Sequence, residues 1–383
     1  VGDAVNDVIA ARRDAYEAGE KFPSAAELSK RLITDAKRTS ARSWLGDVSS
    51  VVLQQALRDA DQAYSNFFDS ISGKRKGRKS GAPRFKGRRD RRQSIRFTAN
   101  AKFSITRGGK LRLQKIGSVP IKLSRLLPST PSSVTVIKDA SGRYFASFVV
   151  DVEPEPIAVE APEIGVDLGL EHFAVLSDGT KIDAPRILRR AEEKLKRAQR
   201  NLTRKKKGSA NREKARTKLA RAHARVADAR RDFHHQLSTH LIRENQAIAV
   251  EDLSVSGLAR TRLAKSVLDA GWSSFTAMLE YKATLYGRKF IRIGRFEPTS
   301  QACSNCESKD GPKPLRVRIW QCKACGVWLD RDINAAVNVA AAAGLAVTAC
   351  GAQVRPPVRV AKRVEAGTHR GDLARRSPCI QTR

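Results

Sequence analysis

Acidic side chains are scarce in this chain of 383 residues, with 39 Asp and Glu against 73 Lys and Arg, a formal charge of +34 and an isoelectric point near 10.6. That imbalance exceeds what solubility requires and repels itself without a polyanion, so nucleic acid is the expected partner. Long apolar runs are missing as well: no eighteen consecutive apolar residues occur, and the alanine-rich stretch after Asp332 is too short to span a bilayer. No apolar signal core follows Val1. A soluble cytosolic protein with no membrane partner is the expectation. There is no initiating methionine, so a missing start is also expected. Cysteine is sparse: four of the six form two close pairs, while Cys350 and Cys379 lie in a polar C-terminal stretch. Metal binding in a reducing compartment fits this better than a disulfide framework. The length predicts two to four domains.

Residues 1–72 read as helical. Ser24-Ala-Ala-Glu27 matches a capping box, and Val51, Leu53, Leu57, Ala60, Tyr64, Phe67 and Phe68 make an apolar stripe. From Lys74 to Arg92 the composition changes abruptly to eleven basic residues, one acid and three glycines in nineteen positions. Lys74, Arg75, Lys76, Arg78, Lys79, Arg84 and Lys86 are candidate phosphate contacts whose binding would depend steeply on salt. Phe85 is placed either to stack on a base or to pin the loop. Residues 94 to about 152 alternate with period two, including Tyr144, Ala146, Phe148 and Val150, which predicts a small antiparallel β domain, plausibly a barrel. After a short meander, two apolar series at helical spacing, Leu188 to Leu202 and Ala215 to Phe233, predict an antiparallel hairpin. Arg204, Lys205, Lys206 and Lys207 form its basic tip. Strands follow at 246–253 and 289–296, with a helix at 272–286 between them. The tail beyond about 345 is basic and aperiodic, which predicts disorder.

Cys303-Ser-Asn-Cys306 and Cys322-Lys-Ala-Cys325 are separated by fifteen residues, the spacing of a zinc ribbon. Four thiolates leave no open position for water, so one structural Zn2+ is expected. Leu315, Val317, Ile319 and Trp320 supply its small core.

Three carboxylates carry the candidate chemistry. Asp167 interrupts the apolar run Ile-Gly-Val-Asp-Leu-Gly, Glu251 ends Ile-Ala-Val-Glu, and Asp332 opens an alanine-rich helix in Asp-Arg-Asp-Ile-Asn-Ala-Ala. Singly, each has an ordinary explanation, an N-cap in the case of Asp332. Together they suit two Mg2+ or Mn2+ ions that activate water and hold a leaving oxygen in phosphodiester hydrolysis. Asp330 is the alternative to Asp332, and Asp252 the alternative to Glu251.

The order of these parts resembles the TnpB (OrfB) family of bacterial insertion sequences, related to the type V CRISPR effectors. The likeness rests on Gly-Ala-Pro-Arg-Phe-Lys at 81–86, Gly-Val-Asp-Leu-Gly at 165–169, Val-Glu-Asp-Leu at 250–253, Thr-Ser-Gln-Ala-Cys-Ser-Asn-Cys at 299–306 and Cys-Gly-Val-Trp-Leu-Asp-Arg-Asp-Ile-Asn-Ala-Ala at 325–336. It implies an α/β multidomain protein: a helical recognition lobe at 1–72 and a β-barrel wedge domain at 73–156. These precede a RuvC-like nuclease domain of RNase H fold at 157–297, with the basic hairpin at 186–243 inserted in it. A zinc ribbon at 298–329, a last RuvC-like motif and helix at 330–345 and a disordered tail at 346–383 complete it. It further implies that Asp167, Glu251 and Asp332 are catalytic, and that the protein is an RNA-guided DNA endonuclease; a monomer in the bacterial cytoplasm, associated with the nucleoid when bound to DNA, is the expectation. Its guide RNA would come from its own element, and it would cut duplex DNA beside a short target-adjacent motif. A non-cleaving regulator, or an unguided accessory to transposition that binds element ends, is the competing reading. Three departures stand out. The family's first wedge strand is not found before the opening helix, Ala82 replaces a common tyrosine, and Glu307 stands where glycine commonly follows the first knuckle. A β-carbon at 307 strains a left-handed turn.

Overall fold

The computed structural model describes residues 2–345 apart from 88, 89, 91, 155, 158–161 and 315. The expected disordered tail, with Cys350 and Cys379, and the expected core residue Leu315 lie outside the described residues.

Helices α1 (Gly2–Glu17), α2 (Ala25–Ser29) and α3 (Ser50–Ile71) form the first unit, joined by short π and 3-10 turns over 30–47. Val8, Ile9, Leu28, Leu45 and Leu53 fill its core. The Ser24 hydroxyl accepts from the Glu27 N–H and starts α2. The apolar stripe of α3 is buried only as far as Tyr64. Phe68, expected inside, is half exposed, because α3 runs past its core and closes with an aromatic edge of Phe22, Tyr64 and Phe68.

The β unit comprises β1 (Gln93–Thr98), β2 (Ser104–Ile105), β3 (Lys110–Leu113), β4 (Gly117–Pro120), β5 (Ser133–Lys138) and β6 (Tyr144–Val149). The expected barrel is corrected here. Among the described residues the strands make two separate three-stranded sheets, β1-β5-β6 and β2-β3-β4. Closure requires edge-to-edge hydrogen bonds, whereas these sheets meet through side chains, with Phe97, Leu111, Leu113 and Val134 packed together and against Val52 of α3. Tyr144, the first of the alternating residues, is exposed at the start of β6.

The third unit is a five-stranded sheet of β7 (Glu163–Asp167), β8 (His172–Leu176), β9 (Lys181–Asp183), β10 (Ala247–Glu251) and β11 (Lys289–Ile293), in the order β11-β10-β7-β8-β9. Strands β7, β10 and β11 are parallel, and β7-β8-β9 is an antiparallel meander. Between β9 and β10 stands the hairpin of α4 (Ile187–Thr203) and α5 (Ala210–Glu244), zipped by Leu195, Leu202, Leu219 and Val226. Helices α6 (Val255–Leu258), α7 (Ala264–Ala270) and α8 (Trp272–Leu285) lead from β10 to β11, and α8 packs with the end of α5. The ribbon hairpin β12 (Ile319–Gln321) and β13 (Trp328–Asp330) precedes α9 (Arg331–Ala342).

The two sheet faces differ in residue size, and that difference positions the acids. Ile164, Val166, Ile248 and Val250 point toward Leu241, Phe275 and Leu279 of α5 and α8. The opposite parity is small: Gly165, Ala247 and Ala249, with Val339 and Ala340 of α9 packed over them. A β-carbon on Gly165 would lie 2.1 Å from the Ala336 carbonyl oxygen and 2.6 Å from the Ala340 nitrogen, so only glycine allows α9 to sit this close. No helix of the described residues is long and apolar enough to cross a membrane.

Candidate active site and zinc site

Asp167 shares its strand face with Gly165, and Glu251 shares its face with Ala249, so alternation directs both carboxylates to the side that α9 covers. Parallel pairing of Val166 with Val250 sets the two acids side by side at the carboxyl ends of β7 and β10. Helix α9 runs antiparallel to β7. Ala336 and Ala340 rest on Gly165, so Asp332, one turn earlier on the same face, comes to the end of β7 where Asp167 lies. Burial, followed by the charges of Glu251 and Asp332, pushes the Asp167 carboxyl up to about 8, while Arg331 and Arg318 oppose that rise. Three carboxyl groups thus lie close together, and the arginines beside them do not offset the rise at Asp167. Among the described residues, however, only the four cysteines bring three or more ligand atoms to mutual metal-binding distance.

The alternatives to these acids have other partners. Asp330 is the N-cap of α9: its carboxylate accepts from the Asp332 N–H at 3.0 Å and the Ile333 N–H at 3.1 Å, and its other oxygen takes the Lys181 Nζ at 2.6 Å. The cap expected as an ordinary role for Asp332 therefore belongs to Asp330, and the Asp332 carboxylate in the first turn takes Arg318 instead. Asp252 pairs with Arg295 at 2.6 Å on the surface.

Several side chains that support the site were not singled out in the sequence. Arg318 bridges Asp332, at 3.0 and 3.2 Å, and Glu171 at 2.6 Å. The Thr299 hydroxyl donates to Glu251 Oε1. Asn334 and Asn338 of α9 donate to the carbonyls of Thr299 and Ala302. Asn334 belongs to the Asp-Arg-Asp-Ile-Asn motif, and its complete burial is the signal that a polar role was needed. Beside Glu251 opens a pocket of about 350 Å³ lined by Leu168, Trp272, Arg292 and Arg295.

The four cysteines meet as their spacing required. All four Sγ atoms lie within 4.8 Å of one another, and Cys303–Cys325 and Cys306–Cys322 are each 3.7 Å apart. A tetrahedron with metal–sulfur bonds of about 2.3 Å has edges of about 3.8 Å, so the cluster fits a zinc ion. Without an ion, burial pushes the Cys303 thiol up to about 12, whereas the Val327 N–H holds Cys325 down to about 6. Each knuckle closes the same way: the Glu307 N–H donates to the Cys303 carbonyl at 2.8 Å and the Gly326 N–H to the Cys322 carbonyl at 2.9 Å. Both closing residues are left-handed, Gly326 at φ 72° and Glu307 at φ 60°. Replacing Glu307 with Gly should therefore stabilise the ribbon by about 0.5–1 kcal/mol, read as slower zinc loss to a chelator. Ile319 is corrected from core to surface: neighbours on a strand face opposite ways, and Trp320 takes the inside.

The expected nucleic-acid contacts do not gather at the acids. Lys74, Arg75, Lys76, Arg78, Lys79, Arg84 and Lys86 are exposed on the loop after α3, and Arg204 to Lys207 are exposed at the hairpin tip. The Phe85 ring is half exposed with the Arg13 guanidinium 5.7 Å from its centre, and Asn6 clamps the Lys86 backbone through bonds of 2.7 and 3.0 Å. Between the β5–β6 turn and the hairpin tip lies a groove of about 890 Å³ whose lining includes Lys138, Lys207, Arg212 and Arg216. An Arg143–Asp228 ion pair at 2.5 Å ties that turn to α5.

A family model described as a probable transposase, of the OrfB type of IS605, matches residues 147–262, and a model of the Cas12f1-like TNB domain matches residues 272–339. A Streptomyces pristinaespiralis protein named as an RNA-guided DNA endonuclease is 42% identical over 332 residues, covering 86% of this chain and 80% of that protein. The Escherichia coli K12 protein InsQ, of the same designation, is 30% identical over 367 residues, covering 91% and 88%. A cryo-EM structure of Cas12f1 in complex with sgRNA and target DNA superposes with a TM-score of 0.51 at 13% identity, covering 88% of this chain and 80% of that one, so the two share a fold. With that level of identity across four-fifths of the Streptomyces protein and two family models matched in tandem, the chain belongs to the TnpB/OrfB family.

Proposed function

We propose that this protein is an RNA-guided, metal-dependent DNA endonuclease whose catalytic domain is RNase H-like, of the RuvC kind. The observation that supports the proposal is the pairing that sets Asp167 beside Glu251 at the carboxyl ends of two parallel strands, with Asp332 of α9 near enough to raise the proton affinity of Asp167. The strand order supports the fold assignment: an antiparallel meander extended by two parallel strands on its first member. Oxygen-only donors that repel one another match the needs of Mg2+ or Mn2+, which when bound would activate water and stabilise the leaving oxygen. The three acids would hold such ions. Arg318, already on Asp332, would meet the scissile backbone, and the pocket lined by Arg292 and Arg295 would take the strand beside it.

The zinc ribbon holds segment 299–304 against α9 and takes no part in the chemistry. Phosphate contacts would come from the basic loop after α3 and from the hairpin. Residues 1–72 carry nine basic and eleven acidic side chains, so that lobe would contact guide or target through shape and polar groups and not through net charge. The names of the relatives and the guide-bound, target-bound Cas12f1 of the same fold support guide RNA and target DNA as partners.

The test is to purify the protein with its native flanking transcript and challenge the complex, in magnesium, with plasmids of randomised flanks. Cutting next to one short motif, dependent on the RNA, is expected. Specific cutting by RNA-stripped protein would instead favour an unguided accessory, and binding without cutting would favour a regulator.

A further inference from the structure

We propose that Thr299 is a positioning residue for Glu251, and that through it the zinc ribbon and the acidic site form one coupled unit. The inference rests on the nuclease reading above. Thr299 is 6% exposed, and its hydroxyl donates to Glu251 Oε1. Its carbonyl accepts from Asn338 Nδ2 at 2.7 Å and Asn334 Nδ2 at 3.3 Å, and the Ala302 carbonyl accepts from the same two amides at 2.9 and 2.8 Å. The Ser304 N–H returns a bond to Asn334 Oδ1 at 2.8 Å. Cys303, the first thiol of the zinc cluster, lies inside this segment.

One six-residue stretch therefore touches all three parts of the site. It grips the end of β10 through Glu251, the helix carrying Asp332 through two asparagines a turn apart, and the metal cluster through Cys303. The helix on which the strut rests is itself fixed in place. Asp330 caps α9 with Lys181 as counter-charge, and Gly165 seats that helix on β7. A glutamate with several rotatable bonds loses conformational freedom when it binds an ion, and a donor that holds it in place beforehand removes part of that loss. Zinc occupancy should accordingly strengthen hard-cation binding, and by linkage the reverse.

The test compares Thr299→Val, which keeps shape and loses the hydroxyl, with Thr299→Ser, which keeps the hydroxyl. Mn2+ binding is measured by electron paramagnetic resonance on zinc-loaded, RNA-free full-length protein, with Asp167→Ala as the baseline for unspecific binding. The valine variant should weaken Mn2+ binding by about tenfold at unchanged zinc content, the loss of one hydrogen bond to a charged group. The serine variant should recover to within about twofold. In cleavage assays the valine variant should need more Mg2+ yet approach the wild-type rate at saturation. Unchanged Mn2+ affinity, or a serine variant no better than valine, overturns the proposal. Should the valine variant misfold, Asn338→Ala, at a partly exposed position, must weaken Mn2+ binding in the same direction or the strut fails. Tight, Thr299-dependent Mn2+ binding in a protein that cuts no guided target would refute the nuclease reading and leave the strut standing.

Discussion

Asp167→Ala should lower guided DNA cleavage by at least about 10³-fold, roughly 4 kcal/mol of barrier, while retention of the guide RNA is unchanged. The size of the effect follows from where the side chain sits. Asp167 is the residue at which burial and the other two acids act together, so its loss would remove the carboxylate that lies nearest to both and leave Glu251 and Asp332 on separate elements to hold any ion. The same side chain sets a pH dependence. Its folded proton affinity, at about 8, lies above that of an ordinary carboxylate, so the folded state holds this proton more tightly than the unfolded chain does. Without a divalent ion, that contribution to stability is present in full below about pH 4 and lost as pH rises through about 8. Divalent ions compete with the proton, so the Mg2+ requirement should ease as pH rises toward 8 and level off above. Denaturant melts of zinc-loaded, magnesium-free protein at pH 5 and pH 8 check the first statement: Asp167→Ala should lose more stability relative to the unsubstituted protein at pH 5 than at pH 8, the buried His234 and Lys282 and the partly buried His235 contributing equally to both proteins. Substantial cleavage by that variant would refute the assignment of the site.

Stripping the zinc, or replacing Cys322 with Ser, should unfold residues 298–329 as a unit. Zinc binding contributes on the order of 10 to 16 kcal/mol in zinc-finger peptides, and the ribbon has little else. Its described core is Trp320 and Leu329 with the two buried cysteines, and Val317 and Val327 at its margin. Four converging thiols also oppose one another when ionised, and burial already holds Cys303 protonated up to about 12. Zinc must therefore displace protons, and its affinity should fall as pH falls. Hydrogen exchange reads the result directly: amides of the two knuckles should lose protection in the stripped protein while β7 and β10 keep theirs. Cobalt substitution should yield the visible spectrum of a tetrahedral thiolate site. Retained knuckle protection after chelation would mean that the asparagine clamp alone folds the ribbon.

Legibility in the sequence followed the range of each interaction. Cysteine pairs three positions apart are local, so the cluster could be read from spacing alone, and so could the strain at Glu307, now seen as a left-handed φ of 60°. Helical spacing in Leu195, Leu202, Leu219 and Val226 was likewise enough to expect the hairpin. Alternation in the β unit indicated strands but not which edges pair, since pairing depends on residues distant in the chain, and a barrel was expected where two sheets formed. Ile319 was misjudged for a simpler reason, that adjacent strand residues cannot both face inward.

The acids illustrate the division best. Their identity and the elements that carry them were written in the chain, and parity with Gly165 and Ala249 even holds the information that Asp167 and Glu251 share a face. What the chain alone left open was Asp330 against Asp332, and every support of the site: Lys181, Arg318, Thr299 and the two asparagines. Those are contacts between residues 14 to 149 positions apart. Local chemistry determined which groups this protein carries and how each segment coils. Only tertiary packing, through the close seat of an alanine helix on a glycine strand, decided which of those groups meet.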